Sequence, residues 1–330
     1  MRTRSVVSCL LPLLGFAACA PAADTGGPTG PTSARALAAW SARRAIPPGG
    51  EVRAAAIAAT ASRIYVIAGN AGFATTTDLN RIYNPATDRW SLGAKLPSPR
   101  DFGMAATLSD GVHFLGGVGP SGLAPEHWVY SATANSWTPR APLPLLVDAA
   151  VSRVVNNRLY IIGGGSAAGP SGAVQIYDPA TDSWSTGAPM PTPRLSTANG
   201  VLGRRILVVG GQTVGIGTTD VLEVYDTQLN QWSTLPALPA LPAGPREALG
   251  GGILGGKLCV FGGRLAQGNP SGIPYPETFC YTPRTMTWAQ GPDMLTPRVE
   301  VASIEFGGGI YAIGGRNAAN FALATNEVFK

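Results

Sequence analysis

Short apolar runs closing on glycine recur along the chain: IYVIAG ending at Gly69, VHFLGG at Gly117, LYIIGG at Gly164, ILVVGG at Gly211, LCVFGG at Gly263 and IYAIGG at Gly315. They are too short and too rich in β-branched residues for helices, and no long segment sustains a helical period, so they read as buried strands. The closing glycines lie 47 to 52 residues apart. A fixed period of that size points to a propeller or a solenoid.

Downstream of the first five runs comes a Tyr and, seven residues later, a Trp: Tyr83 and Trp90, Tyr130 and Trp137, Tyr177 and Trp184, Tyr225 and Trp232, Tyr281 and Trp288. Two copies are nearly identical, RIYNPATDRW from Arg81 and QIYDPATDSW from Gln175. Each unit reads as four strands, a to d; in the third these are VSRVV, RLYIIGG, AVQIYD and SWSTGA. DPATD between c and d is a turn in which Asp caps amides and Pro presets φ. The large rings fill the wedge between one sheet and the next. One such sheet cannot bury both faces alone, whereas six in a ring can.

The last unit has its strand b from Ile310 and a strand c in NEVFK, where Phe329 takes the Tyr place. Its Trp would fall past Lys330, while Trp40 in AAWSARRA has no Tyr before it. We therefore expect an all-β, six-bladed propeller of four-stranded antiparallel blades, closed 3+1 by the N-terminal strand around Trp40, which leaves no free edge.

Diglycine, Tyr, Trp and a PxPR sequence leading into the next strand a resemble the kelch repeat over residues 37–330. The pattern departs at Ala68, which replaces the first glycine, and in YSATANSW of the second unit, which lacks the turn Asp-Pro. The resemblance implies a binding platform or one of a few enzymes, and the fold does not choose between them.

Composition refines the picture at the N-terminus. MRTR followed by VVSCLLPLLGF is a basic segment and an apolar stretch too short to span a bilayer, so residues 1–18 read as a signal peptide. FAAC resembles the lipobox of bacterial lipoproteins, with Cys19 as the acylated residue; ordinary cleavage at Ala20-Pro-Ala22, giving a secreted protein, is the alternative. Residues 19–36 then form a tether rich in Gly, Pro and Thr. The expected address is the cell envelope, with a lipid anchor as the membrane contact and a monomer as the working unit. The net charge of +5 includes Arg2 and Arg4 of the signal segment, and no Lys/Arg run supports a nucleic-acid partner.

In an up-and-down blade the b–c and d–a connections emerge on one face. The d–a connections carry Arg100, Arg194, Arg246 and Arg298, and more loosely Arg53, with Asp101, Asp148, Glu247 and Glu300 beside them. The b–c connections add Arg264 and Arg316. This set is the expected ligand-binding ring at one mouth of the channel, where a concave charged surface focuses its field. In animal kelch adaptors the matching arginines grip acidic peptides, and the resemblance extends that role here. The alternative is that Arg before strand a ties neighbouring blades through backbone carbonyls. The fifth unit has long connections, LPALPALPAGPRE and RLAQGNPSGIPYPE, which either add specificity or are tolerated insertions.

Known kelch chemistries find little support. Galactose oxidase needs two His, two Tyr and copper, and this chain has only His113 and His127, both within strands. The iron motif of plant nitrile-specifier proteins is absent, no Ser/His/Asp set can be assembled at the mouth, and no metal or cofactor is expected. The leading reading is non-catalytic binding of a protein, peptide or glycan. The alternative is a sugar mutarotase or epimerase resembling the N-acetylneuraminate epimerase type, using Arg and paired carboxylates as acid and base. Cys259 and Cys280 fall on neighbouring strands, and either a disulfide or two buried thiols fits them.

Overall fold

Strands a to d of the first blade are Ala56–Ala59, Ile64–Ile67, Asn80–Asn84 and Arg89–Gly93, hydrogen-bonded in chain order as an antiparallel sheet. The computed structural model describes residues 38–72, 75–239, 244–265 and 272–330. The signal segment 1–18, Cys19 and the tether to residue 36 lie outside the described residues. Four further blades repeat the pattern, with their a strands at Met104–Leu108, Val151–Val155, Ala198–Leu202 and Gly250–Leu254. The sixth takes Ala302–Phe306, Gly309–Ile313 and Asn326–Phe329 from the C-terminal end and Trp40–Ala42 from the N-terminal end.

The closing strand pairs in the register of the others. Tyr and Trp face each other across c and d in blades 1 to 5, and Trp40 faces Phe329 in blade 6. Trp40 stacks on Phe329 at 5.2 Å, meets Phe261 of blade 5 edge-on at 4.8 Å and donates its indole N–H to Thr278 Oγ1 at 3.1 Å. The core is six apolar clusters, one in each slot between neighbouring blades.

Polar clips lock four of the slots. In the c–d turn, Asp88, Asn135, Asp182 and Asn230 sit at positive φ, which Asx residues tolerate. Each accepts the hydroxyl of the Tyr five residues earlier, at 2.5 to 2.7 Å. The same oxygen accepts a backbone N–H from the preceding blade: Arg44, Ala94, Ala141 and Ala188 in turn. The carbonyls of those four residues accept the indole N–H of Trp90, Trp137, Trp184 and Trp232. Tyr, Asx and Trp thus grip one residue of the neighbouring blade from both sides. In the second unit, Ser131 stands in for the absent turn Asp by accepting the Ala134 N–H, while Asn135 takes the clip position.

Nearer the axis, the second glycine of each pair donates its N–H to the next blade: Gly69 to Arg100, Gly117 to Val147, Gly164 to Arg194, Gly211 to Arg246, Gly263 to Arg298 and Gly315 to Val52. These glycines have φ between 80° and 101°, and a Cβ on any of them would come within 2.5 to 2.7 Å of a backbone oxygen. Hence the glycine. A closed ring of six backbone hydrogen bonds lies just inside. Phe102 N–H donates to Ala54, Ala149 to Phe102, Ser196 to Ala149, Ala248 to Ser196, Glu300 to Ala248 and Ala54 to Glu300, at 2.8 to 3.2 Å. It girdles the channel at the face where the d–a and b–c connections emerge.

Candidate binding mouth

Six backbone bridges join each d–a connection to the b–c connection of its own blade, and together they form one tier: Arg53 with Asn70, Asp101 with Val118, Asp148 with Gly165, Leu195 with Gln212, Glu247 with Arg264 and Val299 with Arg316. Around blades 5, 6 and 1 the tier is basic and internally paired. Glu300 accepts from Arg53 at 3.1 Å and from Arg316 at 2.9 Å, and Glu247 accepts from Arg264 at 3.0 Å. The Arg264 side chain is 31% exposed and that of Arg53 16%, so these two present the accessible cations of the sector.

Around blades 2 to 4 the tier is acidic. Asp101 accepts from Asn70 Nδ2 at 3.4 Å, and burial pushes its pKa up. Asp148 borders a cleft of about 600 Å3 whose walls include Gly165, Leu195, Gln212 and, from two short hairpins, Val118, Leu123, Gly169 and Pro170. It has no ion-pair partner among the described residues, and burial raises its pKa to about 6. A carboxyl raised above its unfolded value holds its proton in the folded state over a window where the unfolded chain has released it. The resulting stability is present at low pH and fades as pH rises through about 6. Asp148→Asn is therefore expected to raise stability at pH 7 by about 1–3 kcal/mol and to flatten its dependence between pH 4 and 7, checked by thermal melts at both ends.

Four expected ring residues are not presented at the mouth. Arg100, Arg194, Arg246 and Arg298 are at most 3% exposed. Arg194 reaches Glu223 at 2.7 Å and the Val208 carbonyl, and Arg298 reaches Glu327 at 3.0 Å and the Ala312 carbonyl. Arg246 bonds the Gly262 carbonyl, pairs with Glu277 at 3.5 Å and lies over Phe279; Arg100 pairs with Glu126 at 2.8 Å and lies over Trp128. They fasten the start of strand a to strands b and c of the same blade. Their expected placement at the mouth is corrected: these four side chains are buried within the blades. Successive side chains of an extended segment point to opposite sides, so the arginine turns into the slot while the next residue turns to the mouth.

A family model described as the KLHDC2/KLHL20/DRC7 Kelch-repeats domain matches residues 140–315, more than half of the chain. The chain belongs to the kelch-repeat family. The Kelch-like ECH-associated protein 1A of Danio rerio is 35% identical to it over 103 residues, which make up 30% of this chain and 16% of that protein. The chain therefore spans only a small part of that relative's length. A solved structure, titled "Structure of YjhT", superposes on 88% of this chain and 97% of its own at a TM-score of 0.76 and 18% identity, a likeness of fold.

Within the kelch blades the arginine follows a rule. Where Glu stands two residues before the strand-c Tyr, or before Phe329 in blade 6, it takes the guanidinium directly: Glu223 and Glu327. Where an aromatic stands there, Trp128 or Phe279, the ring faces the guanidinium and a Glu two residues earlier, Glu126 or Glu277, supplies the charge. Blades 1 and 3 carry buried Val52 and Val147 in the arginine place. This correlation was present in the sequence and would have exposed the clasp. Arg53 is one residue beyond Val52, and that step puts it on the mouth tier.

The far end of the channel is lined by strand a. There Arg153 of blade 3 pairs at 3.2 Å with Glu305 of blade 6, spanning diametrically opposite blades. His113 and His127 are buried away from the mouth, 2.8 Å apart, with Asp110 and the Ala141 carbonyl at the two ends of the chain of contacts. Burial lowers both, His127 to about 4. Among the described residues, no group of three or more His, Cys, Asp or Glu is arranged to hold a metal ion. Cys259 and Cys280 face each other across strands b and c of blade 5 and form a disulfide.

Proposed function

We propose that this kelch propeller is a non-catalytic binding module of the cell envelope, tethered through Cys19, that captures a protein segment at its two-signed mouth. The observation that carries the reading is the split tier: accessible cations at Arg53 and Arg264 on one side, and on the other Asp101 and Asp148, the latter without an ion-pair partner among the described residues. A peptide with a basic residue near Asp148 and an acidic one near Arg264 would satisfy both sectors, with the cleft between the hairpins taking its side chains. Rims of opposite sign select orientation as well as partner. A relative named for its association with another protein supports a protein ligand over a glycan.

The test is a charged-peptide library applied to the purified protein, repeated with Arg264→Ala and Asp148→Asn. Loss of one truncatable contact is expected to weaken binding about tenfold, on the order of 1–2 kcal/mol, for peptides bearing the matching charge. Capture of basic residues should also fall below about pH 6, where Asp148 takes up its proton. Binding that neither variant alters moves the site elsewhere. Hits confined to a glycan array, or accelerated anomer exchange of sialic acid by the wild type, would replace the reading with a carbohydrate one.

A further inference from the structure

The slot between the closing blade and blade 1 breaks the pattern of the other slots. Its strand-c position two before Tyr83 holds Arg81. The equivalent residue in every other blade meets a polar or cationic partner within the slot. Glu223 and Glu327 meet buried arginines, Trp128 and Phe279 meet guanidinium faces, and Gln175 bonds both the N–H and the carbonyl of Leu145. Arg81 is 1% exposed, and its one hydrogen bond among the described residues runs from Nη1 to the Ala68 carbonyl at 3.0 Å. Its Nε and Nη2 have no partner among the described residues. Val52, in the arginine place opposite, offers nothing polar. Glu51 and Asp78 act on Arg81 only at a distance, and Asp78 is engaged by Lys95 at 3.2 Å. Burial draws the guanidinium down to about 10.

Arg81 lines a pocket of about 210 Å3 whose other walls include Ile46, Pro47, Leu79, Trp90 and Leu92. A buried guanidinium with two idle donor atoms is costly unless something answers it. In two other slots of this molecule the answer is a buried carboxylate in direct contact. The pocket beside Arg81 opens among apolar side chains, where the protein supplies no such group.

We propose that this slot is a second ligand site, for a small carboxylic acid with an apolar body, its carboxylate taking the place of the missing glutamate on Arg81 and its body lying against Trp90 and Leu92. A planar fork of donors suits a carboxylate, and the apolar walls select against inorganic anions, which would lose hydration without compensation. The acid has two sources, a free metabolite or the C-terminal carboxylate of a polypeptide ending in an apolar residue.

Calorimetric titration of the purified protein with benzoate, phenylacetate and N-acetyl-leucine distinguishes them. A Kd on the order of 1 mM is expected for ligands of this size, with the matching amides at least tenfold weaker. Binding of benzoate and phenylacetate assigns a free acid, and binding of N-acetyl-leucine alone assigns a chain terminus. Arg81→Met removes the cation while keeping apolar bulk and should abolish binding. Leu92→Glu, at a side chain 67% exposed and so safe for folding, should weaken it at least tenfold by repulsion. No binding by any probe at 10-fold the expected Kd, equal binding of acids and amides, or binding unaffected by both variants would overturn the proposal. The mouth reading stands apart, since Arg264→Ala leaves this slot untouched.

Discussion

Replacing Trp40 with alanine is expected to destabilise the propeller by about 3–5 kcal/mol, the usual range for a buried Trp. The residue is 8% exposed, stacks on Phe329, edges Phe261 and bonds Thr278. The short strand Trp40–Ala42, extended by backbone hydrogen bonds between Ala39 and Lys330 and from Arg43 to Asn326, covers the outer edge of the sixth blade. The loss should therefore exceed that for Trp137→Ala, whose strand is held by chain continuity on both sides. Thermal melting of the two variants in parallel checks the order. Trp40→Phe, which keeps the ring contacts and forfeits one hydrogen bond, should recover most of the difference. Equal losses for Trp40→Ala and Trp137→Ala would mean that closure contributes nothing special.

The second large effect is at a buried arginine. Arg298→Val removes a fully buried cation and leaves Glu327, 1% exposed, without its partner. Stripping one member of such a pair costs about 3–5 kcal/mol, because the remaining charge is stranded. For a domain of this size that amounts to a fall in Tm on the order of 10 °C. The chain contains its own control. Blade 3 fills the same two positions with Val147 and Gln175, and that amide bonds the Leu145 backbone at 2.7 and 3.1 Å. Arg298→Val combined with Glu327→Gln copies that arrangement into blade 6, where the Thr296 carbonyl already accepts from Arg298. The double variant should recover most of the loss in melting experiments. If it is as unstable as the single one, the cost does not come from the stranded carboxylate.

Trp40 acts on the closure of the ring and Arg298 within blade 6, and neither side chain is paired with Asp148, Arg264 or Glu300 of the mouth tier. A peptide ligand that stabilises only the folded state would raise the Tm of both variants by mass action.

Blade number, strand order and the 3+1 seam were all legible in the residues. Large rings at a fixed spacing can be buried only between repeats, and an unpaired Trp40 matched an unfilled place after Phe329. The leading Asp of the turn was read as a local cap, as Asp178 is, but the task of the closing Asp was not legible: Asp88 and Asp182 bind the neighbouring blade. A spacing within one repeat carries no information about a partner more than forty residues away. The arginines were half legible. Their periodicity was plain, but the side to which each side chain turns depends on the backbone after the proline, and that set Arg100, Arg194, Arg246 and Arg298 inward. The glutamates on strand c were the available signal, since they occur only in blades whose d–a connection carries the arginine.

Local chemistry determined the architecture: glycines where only positive φ serves, alternating apolar strands and aromatic wedges can bury their surface in one kind of ring. The burial and environment of each charge were decided by the tertiary structure. Whether an ionisable group ends against a neighbour, as Arg298 does, in a cleft, as Asp148 does, or beside an apolar pocket, as Arg81 does, depends on the distances and burial that the closed ring imposes. Electrostatic energy follows separation and dielectric rather than order along the chain.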